Sequence, residues 1–178
     1  MQITVDGFVA SPDGQLHWMT WVWDEKLKDY GNVLTESCDT ILLGRKMTDG
    51  FVSHWERTAT QPENPEYDFS QKMVNYPKVV FSKTVSHVNG QNIRVENGDL
   101  VEAVNKLKSL SGKDIIVYGG AGFVGSLIEN RLIDELHLFV NPTAIGSGMR
   151  IFSDQVGLKL ETSTAFECGI VVNKYHFA

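Results

Sequence analysis

Short apolar runs alternate with amphipathic stretches along most of the chain. Branched apolar side chains fill residues 40–44, 78–82 and 114–119, and runs of this length predict buried β-strands. Between the runs, apolar positions recur every three or four residues, as at Met47 and Phe51, which predicts helices that pack by one face. Strand alternates with helix four times. This order predicts an α/β fold, a three-layer α-β-α sandwich around a mostly parallel central sheet.

The two ends of the chain carry different patterns. Residues 2–10 alternate like a strand from the second position, so either this strand is short or the sequence begins inside it. The last twenty residues read as two strands that turn near Gly169, which predicts a C-terminal antiparallel hairpin. We expect one domain over residues 1–178, because this length fills one core but is too short for separate dinucleotide and substrate domains.

Polar residues mark the predicted helix ends and loops. The spacing of apolar residues between Asp24 and Cys38 predicts an amphipathic helix. Asp99 stands three residues before Glu102, which predicts a capping box at the start of a later helix. The stretch 56–68, with two prolines, is predicted to be the longest irregular segment.

Composition narrows the classes of function. The chain is 42% hydrophobic and 21% charged, as in ordinary globular proteins, and its net charge of -6 argues against a large nucleic-acid surface. Cys38 and Cys168 form no disulfide framework, and the five histidines show no ligand spacing, so no metal site is expected. No signal-peptide pattern opens the sequence, and no apolar run approaches ~18 residues. We therefore expect a cytoplasmic protein without membrane contact.

A glycine-rich segment, YGGAGFVG, follows the strand at 114–119. Gly120, Gly122 and Gly125 match the G-x-G-x-x-G fingerprint of Rossmann folds, but that fingerprint belongs in the first βαβ unit and needs an acidic residue about 20 positions further on. Neither condition holds, so we reject a Rossmann domain. A strand that ends on glycine and opens a helix still presents free N–H groups to a phosphate. The alternative is that these glycines serve only a tight turn or close packing.

Two other predicted strands end in residues that suit phosphate. Gly44 is followed by Arg45 and Lys46, two cations that the helix dipole disfavours at a helix start unless an anion is present. The alternative is two solvated surface charges. Ser82 and Lys83 follow the next strand. Three such strand ends on one edge of a sheet favour a dinucleotide site.

Four segments appear in an order that points to a known family. They are TVDGFVASPDGQLHWM, TILLGRKMTDGF, VVFSKT and VYGGAGFVGSLIENRLIDELHLFVNPTAIGSGMRIF. Together they resemble the dihydrofolate reductase superfamily, and most closely the reductase domain at the C-terminus of the bifunctional deaminase-reductase of riboflavin biosynthesis. The resemblance implies a dihydrofolate reductase-like fold with NADPH across the carboxyl ends of the strands.

The resemblance also assigns contacts to the cofactor. It places the adenosine side of NADPH at Gly44, Arg45 and Lys46, the adenine ribose at Ser82 and Lys83, the pyrophosphate at Gly119, Gly120, Ala121 and Gly122, and the nicotinamide at Val9 and Ala10. In the family the paired glycines are commonly joined by a cis bond. Met47 replaces a usual threonine, and Tyr118 stands where riboflavin reductases tend to place a glutamate, which weakens the ribosylaminopyrimidine assignment.

The substrate side is assigned by the same resemblance. Trp18 matches a family tryptophan, and Asp24 follows as the nearest candidate for the carboxylate that assists protonation. Asp24 is equally suited to cap a helix, and Asp6 is the other candidate, with a structural role in a turn as its alternative. Trp18 and Trp21 are candidates to cover a planar ring, unless they form core or a dimer contact.

We therefore predict an NADPH-dependent reductase that transfers hydride to a small planar heterocycle, either pterin-like or 5-amino-6-ribosylamino-pyrimidine-like. The alternatives are a non-catalytic NADP-binding protein of the same fold and a structural dimer module. The resemblance and the tryptophan content suggest a homodimer.

Overall fold

The computed structural model describes all residues, 1–178, and contains eight strands and five helices. The strands are β1 (Gln2–Thr4), β2 (Cys38–Gly44), β3 (Lys78–Phe81), β4 (Ile93–Glu96), β5 (Asp114–Gly119), β6 (Glu135–Asn141), β7 (Leu158–Ala165) and β8 (Val171–Phe177). The helices are α1 (Glu25–Glu36), α2 (Arg45–Thr58), α3 (Tyr67–Asn75), α4 (Leu100–Lys108) and α5 (Ala121–Glu129). The chain divides into two compact units, the first formed by residues 1–31 and 124–178 and the second by residues 32–123.

The second unit contains a sheet of four parallel strands in the order β4-β3-β2-β5. Central strands of such a sheet are buried on both faces and need apolar residues at nearly every position. Ile41, Leu42 and Leu43 of β2 meet this need and are no more than 2% exposed. Because the strands are parallel, their carboxyl ends lie on one edge of the sheet, and the predicted cofactor residues follow three of these ends.

The side chain of Asp99 caps the start of α4. Its Oδ1 atom accepts the backbone N–H groups of Val101 and Glu102 at 2.9 and 3.0 Å. The predicted cap is therefore present, and it satisfies N–H groups that have no partner inside the helix.

The buried side chain of Lys78 closes the end of α3. Its Nζ atom donates to the carbonyl oxygens of Met73 and Val74 at 2.8 Å and of Tyr76 at 2.7 Å. These carbonyls lie beyond the hydrogen-bonding reach of the helix itself, so the ammonium replaces the partners that they lack.

The first unit contains a mixed sheet in the order β1-β6-β8-β7. Strand β1 runs parallel to β6, whereas β6, β8 and β7 are antiparallel. Gly169, with φ +90°, lies in the turn between β7 and β8. Strand β7 forms an edge of this sheet, and a register shift between Leu160 and Thr162 marks a bulge at Glu161.

The α/β class, the parallel sheet and the C-terminal hairpin are confirmed, and the strands divide between two four-stranded sheets.

The first strand ends at Thr4, because Gly7, with φ +86°, donates its N–H to the Thr4 carbonyl and turns the chain. Only Ala10 resumes β-pairing there, in a single bridge to Met149. Helix α2 continues to Thr58, so the irregular segment before α3 is shorter than predicted. None of the helices combines the length and apolar character that spanning a bilayer requires.

Candidate functional site

Two helices of the second unit begin side by side at the carboxyl edge of the parallel sheet. Leu43 at the end of β2 pairs with Gly119 at the end of β5, and α2 and α5 start immediately after these strands. Gly44, the residue before α2, makes no side-chain cap, and Gly120, the residue before α5, has no side chain to cap with. Both helices therefore direct free N–H groups and the positive ends of their dipoles to the same edge.

The glycines at this edge differ in what they contribute. A Cβ atom on Gly44 would lie 2.7 Å from the Cβ of Phe123 and 3.2 Å from the backbone nitrogen of Gly120, so close packing requires glycine there. Gly119 has φ +132° and is joined to Gly120 by a cis peptide bond. A Cβ atom on Gly125 would lie 3.3 Å from the carbonyl oxygen of Ile151.

Neither close packing nor the backbone conformation requires glycine at Gly122 and Gly120. A Cβ atom on Gly122 would meet no atom from beyond its own helix turn within 4 Å, and one on Gly120 would make an ordinary 3.9 Å contact with Met47. Neither residue has the left-handed φ that favours glycine. The fold therefore leaves open space next to the free N–H groups of α5, where the protein itself requires no glycine.

A cation with an unsatisfied donor lies at the start of α2. The Nη1 atom of Arg45 donates to Oδ2 of Asp49 at 2.9 Å, so the two cations that follow Gly44 are partly balanced from one turn along the helix. The Nε atom of Arg45 is buried and has no acceptor. Lys46 is exposed. A buried N–H without a partner is costly, and an anion at this edge would supply the missing acceptor.

Ser82 and Lys83 shape the loop after β3. The buried Oγ atom of Ser82 accepts the N–H groups of Thr84 and Val85, both at 3.1 Å. The Nζ atom of Lys83 donates to the carbonyl oxygen of Gly98 at 2.6 Å. Both residues lie where the sequence predicted, and their side chains already hold local structure.

Two aromatic residues that the sequence analysis did not select also lie at these strand ends. Phe81, at the end of β3, stacks on Phe123 of α5 with ring centroids 5.1 Å apart and planes 26° apart. Phe123 is also the residue that a side chain on Gly44 would strike. The only signal in the sequence was an aromatic residue inside the glycine fingerprint, directly after Gly122, and this did not reveal its partner.

Tyr118, the departure from the riboflavin reductases, packs inside the second unit. Its ring lies 5.4 Å from that of Phe51, and its hydroxyl is 3.4 Å from Oγ1 of Thr35. Burial raises the pKa of Tyr118 to about 12, so it is neutral at physiological pH. It contributes apolar packing where a glutamate would carry charge.

The residues assigned to the nicotinamide belong to the first unit. Val9 and Ala10 are buried, and their backbones pair with Met149 through N–H to carbonyl bonds of 2.9 and 2.8 Å. The structure thus groups the predicted phosphate contacts within the second unit, whereas it places the predicted nicotinamide and substrate contacts in the first.

Asp24 holds two backbone segments of the first unit. Its Oδ1 atom accepts the N–H of Leu27 in the first turn of α1, and its Oδ2 atom accepts the N–H of Cys168, both at 3.0 Å. These hydrogen bonds, chiefly that from Cys168, lower the pKa of Asp24. The geometry matches the capping alternative and makes Asp24 an anion at neutral pH.

Asp6 fixes a loop in a similar way. Its Oδ2 atom accepts the N–H groups of Ile145 at 3.1 Å and Gly146 at 2.7 Å. The hydrogen bond from the Thr4 side chain contributes most to the lowered pKa of Asp6, with further contributions from the backbone of the loop. The turn-stabilising alternative is therefore realised, and Asp6 too is anionic at neutral pH.

The two candidate ring-covering tryptophans have different surroundings. Trp18 is only 5% exposed, and its indole Nε1–H is buried without an acceptor. Trp21 is 67% exposed. Trp18 thus belongs to the core of the first unit yet keeps a free donor, whereas Trp21 is a surface side chain.

One group of metal-ligand types lies close together in the first unit. Ligand atoms of Glu135, Glu161 and His176 are within 4.8 Å of one another. However, Nζ of Lys174 lies 3.1 Å from a carboxylate oxygen of each glutamate. The ammonium of Lys174 balances the negative charge of the two glutamates, which would otherwise attract a metal cation. The cluster is therefore an ion-pair network.

Comparison with known proteins identifies a family that matches most of the chain. The family described as the RibD C-terminal domain matches residues 1–172. The chain is 33% identical over 182 residues to the uncharacterized protein YyaP of Bacillus subtilis, covering 99% of this chain and 92% of that protein.

Solved structures share the fold. A Shewanella sp. PV-4 protein named for riboflavin biosynthesis is similar with a TM-score of 0.75 at 21% identity, covering 100% of this chain and 96% of that one. The Thermotoga maritima diaminohydroxyphosphoribosylaminopyrimidine deaminase/5-amino-6-(5-phosphoribosylamino)uracil reductase has a TM-score of 0.67 at 15% identity, covering 99% of this chain and 55% of that one. Enterococcus faecalis dihydrofolate reductase, complexed with NADP(H), has a TM-score of 0.58 at 14% identity, covering 99% and 92%.

Proposed function

This chain belongs to the RibD C-terminal domain family, related to the pyrimidine reductases of the riboflavin pathway, and from that premise we propose that it is an NADPH-dependent reductase. The proposed substrate is a small planar heterocycle, pyrimidine-like or pterin-like. The dihydrofolate reductase-like fold supports this assignment, because a relative with that fold is complexed with NADP(H).

The observation that carries the proposal is the open space at Gly122. A glycine in a helix costs up to about 1 kcal/mol relative to alanine, and neither the backbone nor packing needs one at this position. The space lies beside the uncapped N–H groups of α5, and Arg45 at the adjacent helix start has a buried Nε without an acceptor. A pyrophosphate suits the open space and the uncapped N–H groups, since it approaches backbone closely and accepts hydrogen bonds, and the 2′-phosphate of NADPH would supply the acceptor that Arg45 lacks.

Roles for this chain's residues follow from the geometry. NADPH, when bound, supplies the hydride. The N–H groups at the starts of α2 and α5 would bind the pyrophosphate, and Arg45 and Lys83 would favour a ribose that carries a 2′-phosphate. Val9 and Ala10 are held rigidly by the backbone of Met149, as a surface that orients a ring needs to be.

The residues proposed to assist proton transfer to the substrate lie in the first unit. Asp24 and Asp6 are proposed to act as anions and not as acids with raised pKa, because backbone hydrogen bonds keep both ionised. A carboxylate has about four acceptor positions, so Asp24 retains capacity for an N–H of the heterocycle and would favour its protonated form. The buried indole N–H of Trp18 offers a donor to a polar atom of the ring.

The proposal is tested by titrating the protein with NADPH and NADH while following quenching of tryptophan fluorescence. We expect tight binding of NADPH and at least about tenfold weaker binding of NADH, from the loss of the 2′-phosphate contacts. Failure to bind either dinucleotide would remove the proposed function.

A pair of glycine variants shows whether the open space holds the cofactor. Gly122→Ala should be at least as stable as the original chain but bind NADPH at least about tenfold more weakly, because the added methyl fills the space beside the N–H groups. Gly50→Ala is the matched control, since Gly50 lies inside α2 and a Cβ atom there also meets nothing within 4 Å. It should gain about 0.5–1 kcal/mol of stability and leave the affinity unchanged.

A second candidate is a non-catalytic NADP-binding protein of the same fold. The engagement of both oxygens of Asp24 by backbone N–H groups favours this candidate. Oxidation of NADPH in the presence of pterin and aminopyrimidine substrates distinguishes the two, because the binding protein would show affinity without turnover.

A further inference from the structure

An open depression in the first unit has the size of a small-molecule site. Its volume is about 430 Å³, and it is lined by Ser11, Pro12, Asp13, His17, Ile145 and Ser147. Ligand sites commonly occupy about 300–1,000 Å³. The depression begins directly after Ala10, which the family resemblance places at the nicotinamide.

One wall of the depression is a turn held by its own hydrogen bonds. The N–H of Ser11 donates to the carbonyl of Gln15 at 3.0 Å, and the N–H of Gly14 donates back to the carbonyl of Ser11 at 2.9 Å. The N–H of Gln15 also donates to Oδ1 of Asp13 at 3.1 Å. This turn fixes the position of the Asp13 carboxylate.

The opposite wall is equally fixed. Asp6 accepts the N–H groups of Ile145 and Gly146, and Met149 pairs with Ala10. A Cβ atom on Gly148 would lie 2.3 Å from the carbonyl oxygen of Ala10, so the two walls meet closely at that glycine. The depression is therefore preformed, which lowers the entropic cost of binding.

The lining has the chemistry of a sugar site. It offers two hydroxyls, one carboxylate and one imidazole, all of which hydrogen-bond to alcohol groups. It contains neither lysine nor arginine, and the nearby Arg150 lies over the ring of Phe8 at 4.2 Å from its centroid. A phosphate here would instead face the negative charge of Asp13, which repels it.

We propose that this depression binds a neutral, hydroxylated substituent of the heterocycle, of the ribose or ribitol type, and selects against a phosphorylated one. The proposal rests on the proposed reductase function and specifies its substrate class. It separates this chain from the Thermotoga relative, whose name specifies a phosphoribosylamino substrate.

The test compares 5-amino-6-ribosylaminouracil with its 5′-phosphate, as ligands of the protein saturated with NADP⁺. We expect the unphosphorylated compound to bind at least about tenfold more tightly. In Asp13→Asn, which removes the charge and retains a hydrogen-bonding side chain, the phosphorylated compound should gain affinity and narrow the difference to about threefold or less. Asp29→Asn, at an exposed position of α1, is the matched control and should keep the original preference.

The outcomes separate this inference from the function on which it rests. Equal or preferred binding of the phosphorylated compound overturns the inference, as does the absence of binding by either compound while NADPH still binds. A preference that is undiminished in Asp13→Asn also overturns it. Loss of NADPH binding itself contradicts the proposed function instead, and the titration of NADPH on the same protein preparation shows which of the two has failed.

Discussion

The helix ends of this protein are of two kinds. Some are closed by the chain's own side chains: Asp24 at the start of α1, Asp99 at the start of α4 and Lys78 at the end of α3. The starts of α2 and α5, at the carboxyl edge of the parallel sheet, have glycines and no side-chain cap. Packing against Phe123 accounts for the glycine before α2, whereas neither packing nor a left-handed φ requires the glycine before α5. The open start of α5 is therefore the one that stability does not explain.

This difference gives a criterion that distinguishes helix ends that stabilise the fold from helix ends that bind the cofactor. A closed end should affect stability when it is mutated and leave cofactor binding alone. An open end should affect binding, with or without an effect on stability. The following variants test this division, in order of the expected change.

The largest loss of stability is expected from Lys78→Met. Three carbonyl oxygens at the end of α3 would lose their donor in a site where Lys78 is 3% exposed, which should lower the free energy of unfolding by about 3 kcal/mol. Urea unfolding measures the change, and NADPH affinity should be unaffected. Lys72→Met is the control, because Lys72 pairs with Glu36 at the surface and should contribute less than about 1 kcal/mol.

Gly44→Ala should affect both stability and binding. The added Cβ atom would push Phe123 and the start of α5 away from β2, which should cost about 2 kcal/mol and weaken NADPH binding at least about tenfold. Urea unfolding and the fluorescence titration measure the two effects. A variant with unchanged stability would show that the two helix starts can separate without cost, contrary to the close contact at Gly44.

Asp99→Ala should reduce stability by about 1 kcal/mol, because two N–H groups of α4 lose their acceptor. Thermal unfolding measures the loss, and Asp99→Asn should restore most of it, since asparagine caps as well as aspartate. NADPH affinity should stay within about twofold of the original. A strong loss of affinity would place the start of α4 among the binding ends and remove the contrast with α5.

A small change in stability, of about 1 kcal/mol, is expected from Asp24→Asn, because asparagine retains the cap on α1 and loses only the hydrogen bond from the N–H of Cys168, which its amide nitrogen cannot accept. The pKa of Asp24 lies below its usual value, so its charge contributes stability above about pH 4 that is lost as the pH falls through the folded pKa. The stability difference between the two proteins should therefore shrink on acidification, as followed by urea unfolding across the pH range.

The same variant addresses catalysis. In the proposed reductase, turnover should fall at least about tenfold while NADPH affinity stays constant, because the anion that favours protonation of the substrate is gone. Unchanged turnover would restrict Asp24 to its capping role.

Local patterns in the sequence predicted the fold well. Apolar runs located the buried strands, the Asp99 signal located a helix start, and the glycine-rich segment located the end of β5. The division into two sheets was not predictable in this way, because it depends on which strands pair across long separations. The pattern of apolar residues also did not predict the early end of the first strand, since this end depends on the positive φ of Gly7.

The candidate site was predicted less completely. Sequence placed Gly44, Gly120 and Gly122 at strand ends but did not distinguish a glycine required by packing from one with open space, because the distinction depends on Phe123 and other distant neighbours. The sequence also could not decide between a capping role and a catalytic role for Asp24, because its contacts include a residue that is distant in the sequence. Its contact with Cys168 joins residues at opposite ends of the chain.

The bulge in β7 has a consequence for assembly. An unpaired edge strand offers its N–H and carbonyl groups to any other extended chain, and proteins protect such edges with irregular backbone and charge. In β7 the register shift at Glu161 interrupts the regular ladder, and Lys159 and Glu161 place opposite charges along an exposed strand. The irregular, charged edge of β7 therefore disfavours edge-to-edge pairing with the sheet of a second copy.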